Sequence, residues 1–388
     1  MMPGRSLHDS IAADPHGTPI YWLNLPLLAE RAAQVLQALP QPFYAVKANS
    51  HPLVLQTLIA SGVRCFDIAS IGELQRVQGL LPNAQCAFMN PVKTAADIRQ
   101  AWQAGVRLFA LDSMDELHKL QHATGGDADC CLLVRIAVEQ QHAPYEMSGK
   151  FGAGSSDAVL LLQAIAARGM RAGITFHVGS QCEAPEVFAT AVETAARVVQ
   201  QAGVTIDVLD VGGGFPASYC GDEATLAQFG EAIRQAVAAA LPVFGPQMRL
   251  HSEPGRALVA QAGSVAVRVE ARKGNMLILS DGKHGLLSEL WWMRALHPVR
   301  RIYRQQPGSG AFDLPLLDYA LAGPTCDSGD VFPGPYPLPA DVAAGDWLEI
   351  GFLGAYSLEL ATGFNGYGRY RLLTASPVNQ PAAMDLTW

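Results

Sequence analysis

The chain has 388 residues, of which 49% are hydrophobic and 16% are charged, and its formal net charge is −8. This composition excludes a disordered chain, and the length predicts two domains rather than one. The acidic balance argues against a nucleic-acid partner, which would need clustered Lys and Arg. The sequence also lacks a run of about 18 apolar residues, so we expect no membrane span.

The first residues and the cysteines indicate the compartment. Residues 1–17 contain Asp9, Asp14 and two histidines, and they lack the apolar core of a secretory signal. The seven cysteines are an odd number without paired spacing. Such cysteines suit a reducing environment better than a disulfide framework, so we expect a cytoplasmic protein.

In chain order, a strand-like segment at 18–24 comes first, and a helical pattern follows from Pro26 to Leu39. Apolar runs then alternate with helical patterns. The eight runs begin at Phe43, Val63, Ala84, Val106, Cys131, Ala172, Ile206 and Met248. Apolar strands separated by helices indicate a parallel sheet covered on both faces, and eight of them predict a (β/α)8 TIM-like barrel.

Beyond Arg256 the helical alternation stops. The later runs are rich in β-forming residues and are separated by Gly and Pro; they are 264–272, 276–282, 346–357 and 370–375. We therefore predict three parts: an N-terminal segment, 1–24, that pairs with the β domain; a barrel, 25–256; and a C-terminal all-β domain, 257–388.

The first barrel run ends in a single lysine, Lys47, followed by small and polar residues. A lysine at the tip of a buried strand can be desolvated, which lowers its pKa and suits it to hold a carbonyl compound as a Schiff base. A strand-end lysine that lies over the surface is the alternative.

Polar and glycine residues cluster at the ends of the runs. They are Lys47 and Asn49, Asp67 and Ser70, Asn90, Arg135, His177 and Ser180, Gly212–Gly214, and Glu253 to Arg256. In a (β/α)8 barrel the C-terminal strand ends carry the chemistry. The pattern therefore favours one shared site at the barrel mouth over a set of unrelated solvated loops.

Three of these ends suggest particular interactions. The triple glycine can expose N–H groups to an anion, with Arg256 as the counter-charge, or it can be a simple turn. Glu253 either accepts hydrogen bonds from loop amides or pairs with a cationic heterocycle nitrogen. His177 either stacks on an aromatic ring, acts as an acid or base, or is a core histidine. No metal-ligand spacing is present, so we predict no metal.

Two motifs in the β domain remain open. Cys326 and Asp327 follow a Gly-Pro-Thr segment and form either an exposed turn or a proton donor beside an anchor for a substrate amine. The Gly and aromatic residues at 354–356 and 364–367 either close over a ligand or form a hairpin core.

Taken together, these motifs resemble the fold-type III, pyridoxal-phosphate-dependent ornithine/diaminopimelate/arginine decarboxylases. The motifs, in the family's order from about residue 18 to 375, are YAVKAN, FDIAS-x-x-EL, FHVGSQ, DVGGGFP, SEPGR, GPTCDSGD, GAYS and FNGY. The CDS-x-D and FNG(F/Y) signatures resemble the ornithine and lysine enzymes, whereas the diaminopimelate enzymes have CES-x-D.

The resemblance implies pyridoxal phosphate as the cofactor, bound covalently by Lys47. Glu253 would keep the pyridine nitrogen protonated, and His177 would stack on the ring. Asp67 and Arg135 would support the lysine. The phosphate ligands implied are Ser180, Gly213, Gly214, Arg256 and Tyr356.

The resemblance also implies a head-to-tail homodimer whose sites lie between one barrel and the β domain of the second copy. Cys326 would act in trans and reprotonate Cα after loss of CO2. Asp327 would grip the distal ammonium of the substrate, with Phe364 beside it.

One departure concerns the substrate. Ornithine decarboxylases have a second substrate aspartate within a Tyr-Asp-His stretch, where this chain has Trp292, Met293 and Arg294. Met293 cannot bind an ammonium. Glu289 would replace the aspartate if the loop is shifted, or Arg294 would favour a substrate with a distal carboxylate.

We therefore expect α-decarboxylation of ornithine or lysine to putrescine or cadaverine, as in polyamine biosynthesis. One alternative is a decarboxylase of a larger conjugate, such as a siderophore precursor or carboxynorspermidine. A non-catalytic regulator resembling antizyme inhibitors is another, against which Lys47, Glu253 and Cys326 argue. An amino-acid racemase is a third, but the Cys326-Asp327 pair fits protonation after decarboxylation better.

Overall fold

The computed structural model describes residues 9–12, 14, 16–139, 149–219, 221, 223–293, 297–305 and 314–375. The chain divides into two compact units. One consists of Arg31–Ala217 and Asp222–Leu258, and the other of Met1–Glu30, Ser218–Gly221 and Val259–Trp388. The domain limits that we expect from the sequence, 1–24, 25–256 and 257–388, stay predictions.

The first unit contains eight parallel strands that pair in chain order. After β1 (Ile20–Asn24), these strands are β2 (Phe43–Ala45), β3 (Cys65–Ile68), β4 (Gln85–Phe88), β5 (Leu108–Leu111), β6 (Cys131–Arg135), β7 (Arg171–Thr175), β8 (Val208–Asp210) and β9 (Arg249–His251). Two further hydrogen bonds bring the first strand to the end of the last: Phe43 N–H donates to the Ser252 carbonyl at 2.8 Å, and Ala45 N–H donates to the Pro254 carbonyl at 3.2 Å. The (β/α)8 barrel expected from the alternating runs is confirmed.

Helices precede or follow most of the barrel strands. They are Leu25–Ala38, Pro52–Ala60, Ile71–Leu80, Ala95–Gln103, Met114–Thr124, Ser155–Ala167, Pro185–Ala202 and Leu226–Phe244. Local sequence determines where several begin. Ser70 and Ser113 are N-caps whose hydroxyls accept the N–H of Glu73 and Glu116, three residues on. This spacing satisfies a free helix donor, and the acidic residue favours the helix N-terminus.

The barrel interior is filled by apolar side chains. One buried cluster consists of Phe43, Ala87, Met89, Leu108, Ala110, Cys131, Leu133 and Val208. Members on one strand are two residues apart, because alternate side chains of a strand point to the same face. The barrel is therefore a packed core, and polar chemistry is confined to its ends.

The second unit contains a separate, largely antiparallel sheet. Its strands, besides β1, are β10 (Gly263–Lys273), β11 (Met276–Leu279), β12 (Val299–Tyr303), β13 (Leu316–Ala322), β14 (Val331–Pro339), β15 (Trp347–Ile350) and β16 (Arg371–Ala375). β1 pairs antiparallel with β10 and parallel with β16, so the segment before the barrel belongs to this sheet. The remaining α-helices are short: Arg256–Val259, Ser288–Met293 and Ser357–Leu360.

Two kinds of feature are absent from the described residues. No helix there combines the length and the apolar character that crossing a bilayer requires. No group of three or more His, Cys, Asp and Glu side chains in the same residues is placed to hold a metal ion.

Candidate active site

Lys47 lies just past the end of its strand. β2 ends at Ala45, and Val46–Ala48 form a turn of 3-10 helix, which the buried Tyr44 hydroxyl supports by donating to the Asn49 carbonyl at 2.8 Å. The Lys47 Nζ atom is 3.6 Å from Asp67 Oδ2, and the lysine side chain is 42% exposed. The sequence suggested a lysine enclosed at the tip of a strand, whereas the structure leaves its side chain partly exposed. Its amine is open to an incoming aldehyde and has a carboxylate beside it.

Asp67, Asp210 and Glu253, at or just beyond the ends of three barrel strands, are buried carboxylates. Burial raises the pKa of Asp67, although the charges of Lys47 and Arg135 oppose the rise. Burial also raises the pKa of Asp210 to about 7. For Glu253, burial raises the pKa well above its usual range, and the nearby Asp210 and Asp67 raise it further. Burial therefore disfavours the charged form of all three acids, and Lys47 and Arg135 oppose this effect at Asp67 and Glu253.

Glu253 has an open acceptor. Its side chain shares a hydrogen bond with Asp210. Its Oε1 atom, however, is buried and has no hydrogen-bond partner among the described residues. A buried carboxylate oxygen without a donor costs free energy, so this position favours a ligand that brings an N–H group.

His177 lies two residues beyond the end of β7 and is half-buried. Its Nδ1 atom accepts the N–H of Gly179 at 3.1 Å, which places the ring proton on Nε2. Burial, followed by the positive charges of Arg135 and Lys47, lowers the pKa of His177 well below its usual value. The side chain is therefore a neutral ring in one defined tautomer.

The triple glycine passes close to His177 and Glu253. A Cβ on Gly213 would lie 2.8 Å from the Glu253 carbonyl oxygen and 3.1 Å from His177 Nε2. Gly214 has a φ of +102°, and a Cβ there would lie 2.3 Å from the Gly179 carbonyl oxygen. Side chains are therefore excluded from this loop by the neighbouring backbone, and glycine lets it pass close to His177 and Glu253.

An anion-binding group lies in the same unit. Arg256 is only 7% exposed. Its Nε and Nη2 atoms lie 3.4 and 3.3 Å from Ser180 Oγ. A buried guanidinium, a hydroxyl and the backbone of a glycine loop are groups that bind phosphate.

The barrel residues thus fit pyridoxal phosphate by three observations. Lys47 offers an accessible amine, Glu253 offers an unsatisfied acceptor for a ring N–H, and the buried Arg256 beside Ser180 offers donors for a phosphate. Arg135, at the end of β6, adds positive charge that acts on Asp67, His177 and Glu253. This is the donor set expected of a pyridoxal-phosphate site.

In the second unit, Asp327 is already paired. Its Oδ2 atom lies 2.7 Å from Lys283 Nζ and 2.8 Å from His284 Nε2. Its Oδ1 atom accepts the N–H of Gly329 at 2.8 Å. The hydrogen bonds from Lys283 and then from His284 hold the pKa of Asp327 well below its usual value.

Two other predicted residues, Cys326 and Phe364, lie near Asp327 and the side chains that donate to it. Cys326 is an exposed free thiol, and its backbone N–H donates to Asn365 Oδ1 at 3.0 Å. The ring of Phe364 lies 4.6 Å from that of His284, centroid to centroid. The structure therefore brings Cys326, Asp327 and Phe364 into one loop cluster.

The remaining predicted residues of this unit lie in or near two of its short helices. Glu289 and Met293 are both buried, in the helix Ser288–Met293. Tyr356 precedes the helix Ser357–Leu360 with a φ of 58°, and its carbonyl accepts the Ser288 hydroxyl at 3.4 Å. Arg294 lies outside the described residues. The roles of Glu289 and Tyr356 stay predictions.

Three residues of these two regions were not predicted from the sequence. Asp210 ends the strand before the triple glycine, and a single acid at the end of an apolar run was its signal. Lys283 and His284 directly follow Ser280-Asp281-Gly282. Two adjacent basic residues there were visible, but their contact with Asp327, more than 40 positions away, was not.

The fold and the site define the class of protein as a pyridoxal-phosphate enzyme with a barrel site. Residues 25–260 match the family model described as pyridoxal-dependent decarboxylase, pyridoxal binding domain. The chain belongs to this family of pyridoxal-dependent decarboxylases, and the resemblance noted in the sequence is confirmed.

Individual relatives cover most of both chains. The chain is 33% identical over 353 residues to ornithine decarboxylase of Schizosaccharomyces pombe, covering 86% of this chain and 77% of that protein. It is 32% identical over 369 residues to antizyme inhibitor 2 of Xenopus laevis, covering 88% of this chain and 77% of that protein.

Solved structures agree with the fold. Arginine decarboxylase of Paramecium bursaria Chlorella virus, bound to agmatine, superposes with a TM-score of 0.84 at 26% identity, covering 96% of this chain and 100% of that one. Lysine/ornithine decarboxylase of Vibrio vulnificus, complexed with putrescine, superposes with a TM-score of 0.80 at 29% identity, covering 97% and 99%.

Proposed function

We propose that this chain catalyses the pyridoxal-phosphate-dependent α-decarboxylation of an L-amino acid of the ornithine or lysine type. One observation carries the proposal. Lys47 lies beside Asp67 in the same barrel as Glu253, whose buried Oε1 atom lacks a donor. A covalent anchor and an acceptor for a ring nitrogen are the two protein groups that this chemistry needs.

Pyridoxal phosphate, when bound, supplies an electron sink for the charge left at Cα by loss of CO2. Lys47 would hold it covalently, with Asp67 beside the amine. Glu253 would accept the ring N–H and keep that proton in place. The phosphate would be held by Ser180, Gly213, Gly214 and Arg256.

His177 and Asp210 complete the barrel site. Because His177 is neutral, it covers an aromatic ring without adding a charge that would compete with the ring proton. Asp210 shares a hydrogen bond with Glu253, which fixes the orientation of that carboxyl group. Arg135 offsets part of the negative charge of the buried acids.

We further propose that two copies of the chain form a homodimer in the cytoplasm and share their active sites. Cys326 of one copy would protonate Cα in the site of the other, and its exposed thiol supports this assignment. The loop of Asp327 and Phe364 would face the far end of the substrate. Tyr356 would reach the cofactor phosphate.

A second candidate function is a non-catalytic regulator, which the similarity to an antizyme inhibitor favours. In such a protein the fold persists without a need for the cofactor. The open Oε1 atom of Glu253 and the accessible amine of Lys47 favour the enzyme, because neither is needed to stabilise the barrel.

The test is to purify the protein with pyridoxal phosphate, record its visible absorbance, and measure CO2 release from ornithine, lysine, arginine and diaminopimelate. We expect a yellow protein whose band and CO2 release are lost in Lys47→Ala and kept in Lys273→Ala, an exposed lysine of the β domain. A colourless protein that cannot be reconstituted would support the regulator instead. A yellow protein silent on all four amino acids would point to a larger conjugate as substrate.

A further inference from the structure

The inference concerns the far end of the substrate and rests on the proposed function. In the resemblance to ornithine decarboxylases, two acids receive a distal ammonium. Here one of the two positions is Met293, an uncharged and buried side chain. The other is Asp327, whose negative charge is met by Lys283 Nζ at 2.7 Å.

Both oxygens of Asp327 are occupied within the loop cluster. Oδ2 is bound by Lys283 and His284, and Oδ1 accepts the N–H of Gly329. A carboxylate oxygen offers about two acceptor positions, so Oδ2 has none left for a substrate ammonium. With Lys283 beside it, the aspartate also presents no net negative charge.

The lysine is held in place, not merely extended toward the acid. Its Nζ atom lies 5.4 Å from the centre of the Trp291 ring, where a cation is attracted by the ring face. A Cβ on Gly329 would lie 3.0 Å from the same Nζ atom. The loop that carries Asp327 therefore leaves room for the ammonium of Lys283.

We propose that Lys283 is a specificity-determining residue that neutralises Asp327 and makes this subsite accept a substrate carboxylate. The ammonium retains donors beyond the one used by Asp327, and His284 adds a polar ring next to it. A free diamino acid would have to displace Lys283 to reach Asp327. An amino acid of similar chain length to ornithine or lysine, but with a carboxylate at its far end, would instead bind Lys283 directly.

The test compares two ligands of equal chain length and opposite distal charge, cadaverine and ε-aminocaproate. Calorimetric titration of the holoenzyme gives the two dissociation constants without turnover. We expect wild-type protein to bind ε-aminocaproate more tightly. In Lys283→Met the preference should shift toward cadaverine by about tenfold, since one charge in contact with the ligand is removed.

Two further variants separate specificity from folding. Lys283→Arg keeps the charge and should keep the wild-type preference. Lys273→Met removes an exposed lysine elsewhere in the unit and should leave the ratio of the two constants unchanged. A Lys283→Met protein that weakens both ligands equally would indicate only a structural role and would overturn the proposal.

The proposal is also overturned if wild-type protein prefers cadaverine, if Lys283→Met leaves the ratio unchanged, or if neither ligand binds the yellow protein. These outcomes are distinct from failure of the proposed function. That failure is loss of the Lys47-dependent visible band, which is recorded before any ligand is added.

Discussion

The acidic residues of the barrel mouth and of the β domain differ in burial and in the direction of their pKa shifts. At the barrel mouth, Asp210 and Glu253 are buried, and burial raises their pKa values. In the β domain, Asp327 is partly exposed, and its pKa is lowered because Lys283 and His284 donate to it. Burial favours the neutral form of the carboxyl group at the barrel mouth. Hydrogen bonds from Lys283 and His284 favour its charged form in the β domain.

This difference separates carboxylates that await a ligand from a carboxylate that is already satisfied. A buried acid with an unfilled acceptor is costly, and proteins keep such groups where a ligand will complete them. Glu253 meets that description. Asp327 does not, even though the sequence motif around it is the one that a diamine-binding enzyme has.

Neutralising Glu253 and Asp327 in turn tests the difference between the two regions most directly. Glu253→Gln should lower CO2 release about a hundredfold or more, because a neutral amide cannot hold the ring proton. Cofactor affinity should fall as well. Asp327→Asn should leave cofactor affinity unchanged, which titration of the apoprotein with pyridoxal phosphate would measure. Equal losses in both variants would show that the two clusters are not functionally separate.

A smaller effect is expected at the thiol next to Asp327. Cys326→Ala removes the proposed proton donor and should lower the rate of amine formation about tenfold or more. Protonation at another atom should then become visible as CO2 released in excess of amine. Cys65→Ala, a cysteine of the barrel wall, is the matched control. Unchanged turnover and an unchanged ratio of products would reject the role of Cys326.

The smallest effect concerns the stability of the apoprotein. The folded-state pKa of Asp210 is about 7, against an ordinary 3.8, so the protein binds a proton there that the unfolded chain has released. The stabilisation is complete at low pH and is lost as pH rises toward 7. We expect this one group to lower the free energy of unfolding by about 1–3 kcal/mol between about pH 5 and about pH 8.

Asp281 contributes in the same direction, because burial raises its pKa to about 7 as well. Asp210→Asn should therefore reduce the pH dependence without abolishing it, as denaturant unfolding of the apoprotein at several pH values would show. An equal pH dependence in the wild-type protein and in Asp210→Asn would contradict this account of Asp210.

Much of the barrel was predictable, because each strand is a short apolar run with its polar residue at the end. That regularity predicts that Lys47, Asp67, His177 and Glu253 lie at one end of the sheet. Local backbone detail was less accessible. The turn of 3-10 helix that carries Lys47 begins directly after β2, and the apolar run does not indicate where the strand ends.

The paired state of Asp327 was hidden for a different reason. Lys283 and Asp327 belong to different loops, and their contact depends on how the β domain folds. Sequence motifs record which residue types are present, whereas the charge of a site depends on which of them meet. The family resemblance therefore predicted the class of enzyme and its cofactor, but not the pairing of Asp327 with Lys283.

The hydrogen bonds between the first barrel strand and the end of the last have a consequence for how the newly made chain folds. Lys47 follows the first strand and Glu253 the last, and backbone hydrogen bonds such as that of Ala45 to Pro254 bring the two ends together. During translation Lys47 is made early, and Glu253 is made only after the last barrel strand. Tight capture of vitamin B6 would then report that a newly made chain has closed its barrel.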